Sequence, residues 1–253
     1  MGDEFLARFW LALQFLTRLP VRTEGIYAPE RLRFTPAFYP AVGAVVGLIT
    51  GGLAWGFGAI FPPVVAVLLS TLGGILVTGA LHEDGLADLC DGLGGGRTRE
   101  RALAIMRDSR LGTDGVLALV LALGSKVSAL AALPLWALPL VLVAGHAASR
   151  AAMLAVMASA DYARAEGAAA AVAGGISGAA LRLAALTTAL ALLPMLVFLP
   201  LLALVGGILG LIFALAAIRQ RFLARLGGYT GDCLGATQQV SEIGFYLGVL
   251  ALI

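Results

Sequence analysis

Four carboxylates within nine residues are the part of this sequence best suited to chemistry. They are Glu83, Asp84, Asp88 and Asp91, and no lysine or arginine lies among them. On a helix, Asp84, Asp88 and Asp91 fall within an arc of about 60°, since they are spaced four and then three residues apart. Three like charges on one face repel each other unless a cation lies among them or their pKa values rise.

The carboxylate face favours a particular kind of cation. Oxygen ligands without Cys or His in the same arc suit a hard ion, Mg²⁺, with Mn²⁺ as an alternative. Mg²⁺ is commonly shared between a few carboxylates and substrate phosphates. The segment therefore predicts metal-dependent phosphoryl or nucleotidyl transfer. The alternative is a solvated acidic loop, which we disfavour because the cluster directly follows an apolar run.

Two residues beside this face have open roles. His82 lies about 160° from Asp84 on the same helix, which argues against a metal ligand there. It is either a packed, hydrogen-bonded histidine or a general base. Glu83 lies about 100° off the face, where it either supports the site or is solvated.

An arginine pair follows the acidic segment. Arg107 and Arg110 are three residues apart and bracket Asp108 and Ser109. Two guanidinium groups at this spacing on a short helix can bind phosphate oxygens. The alternative is anchoring to lipid headgroups, as for the other arginines upstream.

Several charged residues fall inside apolar runs. Lys126 and Arg150 each lie well within a predicted span, and Asp232 and Glu242 flank the start of the last one. A charge in the bilayer centre costs at least about 2.5–3.5 kcal/mol, so we expect Lys126 and Arg150 to face partners inside the bundle, either an anionic ligand or an Asp. Glu242 shares a helix face with Gln239 and Tyr246, and the alternative is that it extends to the membrane surface.

The composition excludes a soluble enzyme. Of 253 residues, 60% are hydrophobic and 13% are charged, and the mean hydropathy is +0.96. A typical soluble domain is about 25% charged. The net charge of +2 is too small to indicate a nucleic-acid partner. Cys90 and Cys233 are expected to be free thiols.

The apolar runs predict an all-α, polytopic membrane helical bundle in one domain, residues 1–253, embedded in the lipid bilayer. The predicted spans are residues 37–60, 64–81, 116–133 and 135–158, two spans within 183–218, and 236–253. Arginines lie in alternate loops, which places the N-terminus and the acidic segment in the cytoplasm. Residues 1–36 are expected to form an interfacial helical segment, and residues 82–114 the cytoplasmic catalytic segment.

Small residues recur in the first span. Gly43, Gly47 and Gly51 lie four apart, which is typical of close helix–helix contact. The neighbouring helix is either in the same chain or in a second copy, so the pattern leaves a homo-oligomer open.

Four stretches together match one known family. They are residues 82–88 with Asp91; residues 106–113; His146 with Ser149 and Arg150; and residues 231–236, where Gly231 and Asp232 match, with Glu242. In these stretches the chain resembles the cobalamin synthase family, the adenosylcobinamide-GDP ribazoletransferases. The resemblance runs in order along nearly the whole chain, although Asp114 and Gln239 depart from the family pattern.

The resemblance implies a reaction and its site. The phospho-adenosylcobinamide moiety of adenosylcobinamide-GDP would be transferred to α-ribazole or its 5′-phosphate, with release of GMP, at the cytoplasmic face of a bacterial-type inner membrane. Mg²⁺ would be held by Asp84, Asp88 and Asp91. The expected substrate-binding residues are Arg107, Ser109, Arg110, Lys126, Arg150, Asp232 and Glu242. The general base would be Glu83, His82 or Asp108, and the sequence does not choose among them.

Two other functions remain as alternatives. A CDP-alcohol phosphotransferase also uses clustered aspartates, but there an Ala-Arg pair usually follows the first Asp-Gly, whereas Leu86 and Ala87 follow Asp84-Gly85 here. A cation transporter would place carboxylates at mid-membrane on several helices, whereas these lie at one end of a span.

Overall fold

Helices account for nearly all the ordered elements of the chain. The computed structural model describes residues 2–21, 25–164, 172 and 176–253. The helices are α1 (Gly2–Leu16), α2 (Pro29–Leu32), α3 (Tyr39–Gly58), α4 (Pro63–Thr78), α5 (Leu81–Gly95), α6 (Arg99–Ile105), α7 (Thr113–Ala131), α8 (Leu138–Ser159), α9 (Gly178–Phe198), α10 (Leu201–Leu226) and α11 (Gly231–Leu252). Short 3-10 turns, Thr35–Phe38 and Leu135–Ala137, lead into α3 and α8. The predicted all-α class is confirmed.

The long charge-free runs form the long helices, and prolines mark where they begin. Pro63 is the first residue of α4, and Pro200 caps α10. A proline fits at a helix start because its missing N–H has no partner there. In the described residues, five helices are long and apolar enough to cross a membrane, or six if α4 and α5 count as one bent span. The predicted number of seven is not confirmed, because α4 is short and α11 carries several polar residues.

The N-terminal segment forms the predicted helix. In α1, Leu11, Leu13 and Leu16 are buried, whereas Phe5 and Trp10 are exposed. Helix α1 packs against the 3-10 turn Thr35–Phe38 and the start of α3. The Phe5 ring, although half exposed, makes an edge-to-face contact with the Phe38 ring. Both thiols are free, with Cys233 buried.

A sharp turn separates α4 from α5. Gly79 and Ala80 both have left-handed backbone angles, φ 68° and 59°, and the two helix axes differ by 89°. The backbone N–H of Arg18 donates to the Val77 carbonyl at 2.7 Å, which joins the N-terminal segment to this turn. The acidic residues therefore lie on a separate helix, and the prediction that they continue the second span directly is wrong.

The glycines of α3 pack within the chain. A side-chain carbon on Gly47 would lie 2.5 Å from the Val143 Cα, and one on Gly51 would lie 2.8 Å from the Pro139 Cα; one on Gly43 would collide with the His146 carbonyl. The predicted close contact is thus confirmed, with α8 as the partner. This glycine face is occupied, so it does not offer the contact with a second copy that the sequence left open.

The last helix lies inside the bundle. It packs closely on α10, where glycines of the two helices face each other, and on α5, α7 and α8. Most of its first fifteen residues are buried, including polar ones such as Gln238 and Glu242. Helix α11 therefore brings polar groups into contact with three other helices. We call the end of the bundle formed by α5, α6 and residues 106–112 and 160–164 the charged end.

Candidate active site

A cavity of about 170 Å³ opens at the charged end. Its walls come from α1, α3, α5, α8, α11 and the segment after α8. Part of its lining is apolar, with Phe15, Leu16, Tyr39 and Met153. The rest includes charged and polar groups: His82, Asp84, Tyr162, Arg164 and Asp232. A ligand of this cavity must therefore match both apolar and charged surface.

Two glycines allow α5 and α11 to meet at this cavity. A side-chain carbon on Gly85 would lie 3.0 Å from the Asp232 Cα, and one on Gly235 would lie 3.1 Å from the His82 carbonyl oxygen. Because only glycine permits so close an approach, Asp84 lies beside Asp232 although the two are far apart in sequence. The first and fourth matching stretches of the sequence thus form one site.

The carboxylates at the cavity form a cluster of negative charge. Asp84, Asp88 and Asp232 lie within electrostatic range of one another. Asp84 is exposed, and Asp88 and Asp232 are partly buried. Asp232 accepts a hydrogen bond from Arg164 at 2.7 Å. The predicted substrate residue Asp232 is therefore at the cavity, paired with an arginine.

Asp91 lies close enough to Asp88 to interact with it electrostatically, but it has a separate structural role. It is buried, and its two carboxylate oxygens accept hydrogen bonds from the backbone N–H groups of Gly112 at 2.7 Å and Gly115 at 2.8 Å. These amides belong to the first turn of α7, where the helix has no partners of its own for them. Asp91 caps α7, so its predicted role as a metal ligand is not supported. Among the described residues, no three His, Cys, Asp or Glu side chains surround one metal position.

The arginine pair lies on an exposed loop. Arg107, Ser109 and Arg110 are exposed, and residues 106–112 form no helix, so the expected helical spacing is wrong. Asp108 accepts hydrogen bonds from the Arg110 guanidinium, and these hold the pKa of Asp108 at about 2. Burial raises the pKa of Tyr162, and the charges of Arg164 and Arg107 oppose that rise. None of Arg107, Ser109 and Arg110 lines the cavity.

Lys126, Arg150 and Glu242 lie together in the interior and not at the cavity. The Lys126 Nζ is 2.9 Å from the Glu242 Oε1, and the His146 Nδ1 is 2.8 Å from the Glu242 Oε2. Arg150 donates to the His146 carbonyl oxygen at 3.0 Å. All four side chains are buried. These charges pair with one another inside the bundle, as buried charges among apolar helices must. This position does not support the predicted substrate contacts of Lys126, Arg150 and Glu242, which stay a prediction.

Glu83 belongs to the same interior network. Its Oε1 accepts a hydrogen bond from the Gln239 Nε2 at 3.0 Å, and Gln239 in turn accepts one from Lys126 at 3.0 Å. Glu83 lines a small interior cavity of about 20 Å³ and not the larger one. Its predicted role as a base at the substrate is therefore not supported by its position.

His82 lies at the boundary between the two regions. It lines both the interior cavity and the larger cavity. The side chain is 2% exposed, and its Nε2 has no hydrogen-bond partner among the described residues. A buried polar atom without a partner is costly and rare. Of the three predicted bases, His82 is the one that lines the larger cavity.

Several cavity residues were not predicted from the sequence as part of the site. Tyr162 and Arg164 lie two residues apart in the segment after α8, and Tyr39 is the first residue of α3. A parallel bridge between Tyr162 and Tyr229 holds the segment after α8 against the start of α11, which brings Arg164 to Asp232. The Gly-Asp pair at residues 231–232, which matches the family pattern, indicated only one member of this ion pair.

Comparison with known proteins agrees with this arrangement. The sequence profile of cobalamin-5-phosphate synthase matches residues 8–250. The chain belongs to the cobalamin-5-phosphate synthase family. The family resemblance proposed from the acidic and Arg-Asp-Ser stretches is confirmed.

Three relatives of this cobalamin-5-phosphate synthase family member carry the same name. An adenosylcobinamide-GDP ribazoletransferase of Leptothrix cholodnii is 46% identical, covering 96% of this chain and 94% of the relative. Proteins of the same name from Bradyrhizobium diazoefficiens and from a Polaromonas species are 44% and 38% identical, with 94% and 98% of this chain covered, and 91% and 97% of the relatives. No solved structure matches the chain.

Proposed function

We infer that this chain transfers the phospho-adenosylcobinamide moiety of adenosylcobinamide-GDP to α-ribazole, or to its 5′-phosphate, and releases GMP. The observation that carries this inference is the cavity that Asp84, Asp232 and Arg164 line together with several apolar side chains. Phosphoryl transfer needs charged groups around the phosphates, and a nucleoside with an aromatic base needs an apolar surface. The family match and the names of the relatives support the same reaction.

The reaction requires one bond to form and one to break. A hydroxyl oxygen of α-ribazole forms a bond to the phosphorus on the corrinoid side. The bond from that phosphorus to the bridging oxygen breaks, and GMP leaves with that oxygen. The hydroxyl proton moves to a base of the protein. Positioning and charge stabilisation supply most of the catalysis in reactions of this class.

His82 is the base that the geometry favours. Its position in the cavity wall and its unpartnered Nε2 suit a group that takes a proton from bound substrate. Asp108 is a poor base, since the Arg110 guanidinium holds its pKa at about 2. Arg164, with Arg107 nearby, is placed to neutralise charge on the phosphates.

The carboxylates fit a requirement for Mg²⁺. Asp84 and Asp88, with Asp232 beside them, supply only oxygen donors, which Mg²⁺ prefers. Mg²⁺ usually takes one or two protein carboxylates, its other ligands being phosphate oxygens and water, so the lack of a three-residue protein set among the described residues is consistent with it. When bound, the ion would neutralise charge on the pyrophosphate.

We place the site on the cytoplasmic side of a bacterial-type inner membrane. The charged end carries the arginines of the 97–110 region, whereas the turns at the opposite end, near Pro62, Pro134 and Pro200, carry no charge. This asymmetry follows the positive-inside rule.

The test is GMP release by the purified chain in lipid nanodiscs. Release should require adenosylcobinamide-GDP, α-ribazole and Mg²⁺. Asp84→Ala and Asp88→Ala should each reduce kcat by more than about 100-fold. Asp114→Ala is the matched control, because Asp114 is an exposed carboxylate at the same end that does not line the cavity; its rate should stay within about twofold. No GMP release by the wild-type chain, or cation flux into liposomes without it, would overturn the proposal.

A further inference from the structure

We propose that the 170 Å³ cavity binds the benzimidazole base of the acceptor nucleoside, and that Phe15, Leu16, Tyr39 and Met153 determine which base is accepted. This inference rests on the proposed function and assigns one part of one substrate to one surface. The corrinoid and the guanosine are bound outside this cavity.

The cavity volume decides between the substrates. A dry cavity of about 150 Å³ in another protein accommodates one benzene ring. The cavity here is slightly larger, about 170 Å³, and opens toward the charged end. It accommodates a fused two-ring base whose sugar extends outward. A corrin macrocycle, with its four linked rings and side chains, is far too large for it.

The apolar part of the cavity lining selects among bases of that size. Leu16 and Met153 are apolar and almost fully buried. The rings of Phe15 and Tyr39 are nearly parallel, 9° apart in orientation, with centroids 6.2 Å apart. Aromatic and methionine side chains pack well on a flat apolar ring. Guanine carries donors and acceptors on several edges, and this wall would leave most of them without partners.

The polar part of the lining matches the sugar of the same nucleoside. His82, Asp84 and Asp232 line the same cavity as the apolar residues. The Nε2 of His82 is buried and has no partner among the described residues, which indicates a polar ligand group at that position. A base packed on the apolar wall directs its sugar hydroxyls toward His82 and toward the carboxylates. The same pose brings the reacting hydroxyl to the residue proposed as the base.

Two methionines on α8 allow a matched experiment. Met153 and Met157 are one turn apart and similarly buried, at 4% and 5% exposed, but only Met153 lines the cavity. In nanodiscs, Met153→Phe should raise the KM for α-ribazole at least about tenfold, with the KM for adenosylcobinamide-GDP within about twofold. Met157→Phe should leave both KM values within about twofold. Equal rises in both KM values for Met153→Phe, or no rise, would overturn the proposal.

A second variant guards against misfolding of the first. Met153→Ala enlarges the cavity, so the ratio of kcat/KM for a naphthimidazole riboside to that for α-ribazole should rise at least about tenfold. A general structural defect lowers both rates and leaves the ratio unchanged, and an unchanged ratio would refute the base assignment. If the wild-type chain turns over neither nucleoside, the proposed function itself fails, which is a distinct result.

Discussion

Replacing Asp91 by alanine separates its structural role from a metal-binding role. Both carboxylate oxygens accept backbone hydrogen bonds from α7, at 2.7 and 2.8 Å. A hydrogen bond to a charged group contributes about 1.5–3 kcal/mol. Without the carboxylate, the buried N–H of Gly115 has no replacement partner, whereas that of Gly112 gains water. We therefore expect Asp91→Ala to lower the free energy of unfolding by about 3 kcal/mol.

The matched control is Asp84→Ala, on the same helix two turns earlier. Asp84 is exposed, so its removal should change the free energy of unfolding by less than about 0.5 kcal/mol. GMP release should instead fall sharply. Unfolding is measured by far-ultraviolet circular dichroism in mixed micelles with increasing denaturing detergent, and the Mg²⁺ dependence of GMP release is measured separately.

The two variants should therefore show opposite patterns. Asp91→Ala should be less stable than the wild-type chain. At temperatures where it remains folded, the Mg²⁺ concentration that gives half the maximal rate of GMP release should be unchanged. Wild-type stability together with a several-fold higher Mg²⁺ requirement in Asp91→Ala would refute the cap assignment and restore Asp91 to the metal site.

Three further perturbations follow from the same contacts. Lys126→Met leaves Glu242 buried without its 2.9 Å partner and should lower the free energy of unfolding by about 3–5 kcal/mol. Adding Glu242→Gln should recover part of that loss. If the two substitutions lower the free energy of unfolding by strictly additive amounts, the pair is not coupled. Gly47→Leu should separate α3 from α8 and lower the free energy of unfolding by at least about 3 kcal/mol. Gly52→Leu should be neutral, because nothing lies within 4 Å of a side-chain carbon at that position. Equal effects of the two variants on thermal unfolding would contradict the packing of α3 on α8. His82→Asn should lower kcat at least about 100-fold and remove the acidic limb of its pH profile; an unchanged profile would exclude His82 as the base.

The sequence was most informative where a regular pattern repeats. Charge-free runs identified the long helices, and four-residue spacing identified the contact surface of α3. The same spacing placed Asp84 and Asp88 together correctly. These features depend on helix geometry alone, which is the same in every protein.

Features that depend on a distant segment were not predictable. A helical projection predicts the face of the helix on which Asp91 lies. It does not predict that backbone amides at the start of α7 lie beside Asp91. The sequence required an acidic group or anionic ligand near Lys126, yet Glu242, from the last helix, could not be identified as that group. The turn at Ala80 gave no signal, because alanine rarely adopts a left-handed angle.

The shortness of α4 has a consequence for the environment of the reaction. Its 16 residues extend about 24 Å, less than the hydrocarbon thickness of about 30 Å. If α4 starts at the opposite surface, the turn at Gly79 leaves the start of α5 several ångströms below the near surface, where water is scarce and charges interact more strongly. A thicker bilayer would bury His82 and Asp84 further, and a thinner one would hydrate them. Bilayer thickness should therefore affect the turnover rate, as substrate and metal concentrations do.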